Sequence, residues 1–199
     1  MVSTLGLLAT HHSPLATAFF RYTDRMIGRP QESEAAPYYA KYVAQVVGDD
    51  PLLAIETQLD DCMKLFATIS EESSLHRYEP GKWSIREVLS HITDTERVFA
   101  VRLMWFARGL TPPLPSLDQD VAVAGAQADA IAWAGHVEEF HQVRLSNISL
   151  FRHVPADAWS RSGIASDHRV TVRALAYLIA GHAAHHIAIL RQRYLASPL

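Results

Sequence analysis

His182 and His186 stand four residues apart in a stretch, Ala174 to Leu190, dominated by apolar side chains. On a helix, residues four apart project from one face a turn apart, so two imidazoles at this spacing can converge on one ion. At about 100° per residue they share the arc of Leu175, Leu178 and Ile189, the face that turns inward. Imidazoles in an apolar interior need partners, and two kinds suit them: backbone carbonyls, which would make them ordinary core histidines, or a metal. His91 adds weight to the metal. It lies at the edge of an apolar stripe on an earlier helical segment, within His91-Ile-Thr-Asp-Thr-Glu96. Three neutral imidazoles from two helices make a site with coordination positions left open, the arrangement that catalytic zinc favours.

The neighbours of these histidines suit other roles. His185 is turned about 60° from His182, on the side away from His186, and stays outside the ligand set. Glu96 falls within an otherwise apolar stripe, where an unpaired carboxylate is costly; it suits either an ion pair with an arginine of another helix or an acceptor close to the metal. Asp94 and Thr95, three and four residues after His91, are further candidates to accept from its ring. No catalytic residue is identified beyond these. Trp83 reads as a staple for the following helix rather than a substrate contact. Asp118 and Asp120 follow a proline-rich loop and suit either solvent or the open end of the site. Arg86, Arg97, Arg102 and Arg108 read as solvated or paired charges, and Cys62 as core filler. Ala183 stands where helical zinc proteases carry Glu after the first His, which disfavours peptide hydrolysis of that kind.

Four helical segments must position these residues. Asp50 caps the first, Pro51 suits its first turn, and Leu52, Ile55, Leu59, Met63 and Phe66 recur at steps of three and four, giving a helix over about 50–70. Ser84-Ile-Arg-Glu87 is a capping box that opens a second helix over about 84–108, with Ile85, Val88, Ile92, Phe99, Leu103 and Phe106 inward. A third runs over about 129–151 through Trp133, Val137, Phe140, Arg144 and Ile148, and a fourth over about 171–195. No hairpin signal appears. The fold predicted is all-α, a four-helix bundle.

The stretch Pro80-Gly-Lys-Trp83-Ser-Ile-Arg-Glu-Val-Leu-Ser-His91-Ile-Thr-Asp-Thr-Glu96-Arg97, with the later Ala180-Gly-His182-Ala-Ala-His-His186-Ile-Ala-Ile-Leu190-Arg-Gln-Arg-Tyr194, resembles the DinB-like superfamily of bacterial four-helix bundles from about Met26 onward. The resemblance implies a metal held by one histidine of the second helix and two of the last, here His91, His182 and His186. It implies zinc or nickel as the ion and a homodimer as the assembly. It also implies kinship with bacillithiol S-transferases and, more distantly, mycothiol-dependent isomerases. The expected activity is therefore metal-dependent transfer of a low-molecular-weight thiol to an electrophile; hydrolysis by metal-activated water and metal binding without turnover are the alternatives.

Composition is consistent with that reading. The 199 residues carry 18 Lys+Arg against 21 Asp+Glu, which lacks the basic excess that nucleic-acid binding needs. A single cysteine excludes an internal disulfide or a thiolate zinc cluster and points to the cytoplasm. Pro14, Gly28, Pro30 and Pro37 break residues 1–36 into a lead-in, with the bundle domain over 37–199. His-His-Ser-Pro14 interrupts the early apolar stretch, which disfavours a signal peptide, and residues 1–25 are expected to be dispensable. Tyr38, Tyr39 and Tyr42 are candidates to pack on a partner subunit or on their own bundle.

Overall fold

The computed structural model describes residues 27–196. Its helices are α1 (Ala40–Val43), α2 (Pro51–Phe66), α3 (Ile85–Ala107), α4 (Gln119–Ala126), α5 (Trp133–Arg152) and α6 (Val172–Ile189), with β1 (Ser162–Ala165) and β2 (His168–Thr171) before α6. The starts of the long helices follow local chemistry. Asp50 Oδ1 accepts from the amides of Leu52 and Leu53. Ser84 and Glu87 satisfy each other's amides at 3.1 and 2.8 Å, and Thr171 Oγ1 accepts from Ala174 N. At the start of α5, where Ala132 cannot cap, Glu71 Oε2 takes the Trp133 amide at 2.9 Å.

The bundle is α2, α3, α5 and α6, as the periodicity predicts. Its arrangement is not a simple meander: α3 packs on α5 and α6, α2 packs on the same two, and consecutive α2 and α3 lie across a diagonal. The second and last bundle helices are thus direct neighbours, which brings His91 alongside His182 and His186. At the centre, Arg144 of α5 is fully buried and binds Glu96 of α3, its Nη1 donating to Gln58 Oε1 of α2. Asn147 adds a hydrogen bond to Glu96 at 3.1 Å, and Gln58 Nε2 reaches Ala180 O of α6 at 3.1 Å. One polar cluster therefore joins all four helices.

Several expectations are corrected. A hairpin is present, β1 pairing antiparallel with β2 around Ser166 and Asp167, whose φ of 52° and 63° give the left-handed two-residue turn such hairpins prefer. The usual Asn-Gly signal is absent, which is why the sequence pattern misses it. The proline-rich loop docks on this hairpin through Leu114, and Thr171 at its end caps α6. Asp118 opens the unforeseen α4 by accepting from the amides of Asp120 and Val121. The third helix starts at Trp133, not near 129, and the fourth ends as a π turn over Leu190–Tyr194.

The end of the lead-in, residues 27–36, touches the bundle. Ile27 is buried, Arg29 donates to the carbonyls of Val43, Val46 and Gly48, and Glu34 pairs with Arg173 while accepting from Thr171 Oγ1. Residues 27–36 therefore pack on the bundle; the lead-in before them lies outside the described residues. Beyond this strap, α1 crosses α6 so closely that a Cβ on Gly181 would stand 2.0 Å from Tyr42 O, a contact only glycine permits. Of the arginines read as solvated or paired, Arg86 and Arg102 are buried and paired: Arg86 binds Ser74 Oγ, Glu71 and the carbonyls of Asp129 and Ile131, and Arg102 binds Pro115 O and Ser166 Oγ. Arg97 pairs with Asp94 and Glu139, as a surface charge does.

Candidate metal centre

α3 carries His91 and α6 carries His182 and His186, and one nitrogen from each lies within 4.8 Å of the other two. His91 Nε2 and His182 Nε2 are 3.1 Å apart. Two nitrogens bound tetrahedrally to zinc at about 2.0–2.1 Å stand roughly 3.3 Å from each other, so this spacing suits one ion. His185, held out of the ligand set by its helical angle, is not part of the converging group.

Electrostatics favours the form that binds metals. Burial pushes His91 down to about 4 and His186 down to about 3. His182 falls well below the ordinary imidazole range, through burial and then the repulsion of its neighbours His186 and His91. All three are therefore neutral at physiological pH with lone pairs available.

Aromatic rings, rather than carboxylates, hold the imidazoles in place. Trp83 lies 4.9 Å from the His91 ring, and Tyr42 and Phe99 meet His182 edge-on at 5.3 and 6.2 Å. Trp83, expected as a staple, is thus a wall of the site, and Tyr194 Oη fixes its backbone by donating to Trp83 O at 2.8 Å. Tyr42 is buried inside its own chain, against His182 and His185, and Tyr39 packs on Phe99. The expected acceptors do not reach His91. Asp94 pairs with Arg97, Thr95 Oγ1 is buried without a partner among the described residues, and Glu96 is taken up by Arg144 and Asn147. His182 Nδ1 likewise has no partner there, a departure from the usual acceptor behind a metal-bound histidine. Of the two loop aspartates, Asp118 is a helix cap, whereas the charge of Asp120 is felt at His91. Cys62 is buried in the core with its thiol pushed up to about 11 by burial, as suits a structural residue.

Sequence missed Tyr42, Phe99 and Lys41 as neighbours of the site. The only available signal was the Tyr38/Tyr42 spacing, which puts two rings on one helical face without saying which helix they meet.

Comparison with known proteins identifies the family and the fold. The sequence matches the profile of the DinB superfamily over residues 54–190, a span that contains all three histidines. The chain belongs to the DinB superfamily. No curated protein matches it by sequence. Among solved structures, this DinB-superfamily chain is similar to YfiT from Bacillus subtilis, described as a probable metal-dependent hydrolase with an unusual four-helix bundle topology. The two share 18% identity with a TM-score of 0.63, over 84% of this chain and 91% of YfiT. It is also similar to a mycothiol-dependent maleylpyruvate isomerase, at 11% identity and a TM-score of 0.56, over 69% of this chain and 58% of that one. At these identities the likeness establishes the shared fold.

Proposed function

We propose that His91, His182 and His186 bind one divalent cation, zinc or nickel, and that the protein is a metal-dependent enzyme transferring a low-molecular-weight thiol to an electrophile. The observation that carries this reading is the convergence of three neutral imidazoles with no carboxylate in the group among the described residues. Imidazole suits both ions, and three protein ligands leave room for a substrate atom. A divalent ion in such a site lowers the pKa of a bound thiol or water and so supplies a nucleophile at neutral pH.

The surrounding residues serve the transfer in simple ways. Trp83, Tyr42 and Phe99 hold the imidazoles in register and exclude water from the ligand side. An ion held by His91, His182 and His186 would supply the thiol as its thiolate, the proton passing to solvent, so no residue need act as a strong base. The sulfur then forms the new bond to the electrophilic carbon while the leaving group departs with its electron pair. Hydrolysis is the second reading, supported by the fold shared with YfiT.

The test is direct. Protein loaded with zinc or nickel is mixed with a thiol and an aryl halide, and thioether formation is followed by absorbance. Turnover that needs both metal and thiol, and is lost in His91→Ala, is expected. Ester or amide cleavage without thiol would replace this reading by hydrolysis.

A further inference from the structure

One edge of the histidine cluster carries a cation with no acidic partner. Lys41 of α1 is exposed, and its Nζ lies 4.2 Å from the centre of the Tyr38 ring and 4.8 Å from that of Tyr42. The hydroxyls of those two rings are 3.2 Å apart, and the Tyr42 ring itself meets His182 and His185 at 5.3 and 5.4 Å. Lys41 is thus one aromatic ring away from a proposed ligand. Cations of the strap, α2 and α6 are committed by contrast: Arg29 pairs with Asp49, Lys64 with Asp61 and Arg173 with Glu34. Among the described residues, no carboxylate pairs with Lys41.

A long lysine side chain ordinarily surrenders rotamer freedom only for a partner. Here two ring faces hold it in place, leaving the ammonium without a carboxylate partner among the described residues. Its charge is felt at His182, His185 and His186, whose protonation it opposes. The far edge differs in sign, since the exposed Asp120 acts on His91. Lys41 on the α1 side and Asp120 on the α4 side therefore act on the histidine cluster with opposite sign.

We infer that Lys41 is the anchor for a carboxylate or similar small anionic group on the substrate, so that the site selects anionic small molecules. The inference rests on the reading above for where the reacting end of that substrate sits. Tyr38 and Tyr42 position the ammonium, and the substrate's anionic group points toward α1 while its nucleophilic atom faces the histidines. An exposed charge pair contributes little, so the expected discrimination is about fivefold in affinity, more where the rings exclude water.

Three thiols of similar size separate the contributions: 3-mercaptopropionate, neutral 2-mercaptoethanol and cationic cysteamine. Binding to the cobalt-loaded protein is read from thiolate-to-cobalt absorption, without turnover. The wild type should prefer 3-mercaptopropionate. Lys41→Gln should weaken it about fivefold and leave 2-mercaptoethanol unchanged, Lys41→Arg should keep the preference, and Lys41→Glu should reverse it toward cysteamine. Equal affinities in the wild type, or equal losses for all three thiols in Lys41→Gln, would overturn the inference. If no thiol produces the band, the metal–thiol reading fails, and the Lys41 side-chain NMR resonance then decides the anchor separately. A shift with 3-mercaptopropionate and none with 2-mercaptoethanol supports it, and identical responses overturn it.

Discussion

Buried imidazoles that face one another resist protonation, and that resistance is measurable without any metal. In the unfolded chain His91 takes up a proton as pH falls through ~6.5; in the fold it stays neutral down to about 4. The unfolded state therefore binds more protons in this window, and stability falls as pH falls. For His91 the loss is on the order of 3 kcal/mol between pH 7 and pH 4. Melting curves of the metal-free protein should show the decline, and His91→Gln, which cannot titrate, should flatten it; an unchanged slope would refute the burial account. Metal content gives a second reading of the same residues. His91→Ala, His182→Ala and His186→Ala should each lose most of their metal, whereas His185→Ala should keep it. Elemental analysis of the four proteins purified in parallel decides this, and a fully loaded His91→Ala would remove α3 from the site.

Between helices, the Arg144 cluster is where the bundle is most exposed to a single change. Arg144→Met leaves the Glu96 carboxylate buried without its cation, a loss of about 3–5 kcal/mol. Combining it with Glu96→Leu removes both charges and should recover most of that loss, as urea unfolding would show. Equal stabilities for the single and double variants would mean that the pair is not coupled. Glu96 illustrates how far sequence carries. Its place in an apolar stripe demanded a partner, and Arg144 stood in the inward stripe of the third helix, but periodicity alone could not join them. Three of the four bundle-helix starts were legible because Asp50, Ser84 and Thr171 act on amides two or three residues away, whereas the third helix takes its amide partner from distant Glu71. The histidines were legible because their spacing is helical. The hairpin turn and the aromatic walls were not, since they depend on left-handed backbone or on segments distant in sequence, and α4 was passed over although its Asp118 cap is as local as that of Asp50.

At the scale of the molecule, the strap over residues 27–36 packs on the bundle. Deletion through residue 36 removes the Ile27, Arg29 and Glu34 contacts, and calorimetry should record a clear fall in Tm, while deletion of residues 1–25 should leave Tm nearly unchanged. Self-association is proposed from the family resemblance alone, Tyr38 being 60% exposed beside its contacts with Lys41 and Tyr42. Light scattering at micromolar concentration should exceed the 22.2 kDa of one chain, and a monomer mass would count against it. The tight crossing at Gly181 has a genetic consequence. In a saturation library sorted for metal retention, position 181 should tolerate almost no replacement, although glycine contributes no ligand, charge or hydrogen-bonding side chain. Even alanine would lift α1 from α6 and carry Tyr42 and Lys41 away from the histidines. A survey of inactive alleles would therefore point to a residue that does no chemistry, and Ala183, beside the same ligand, provides the internal comparison.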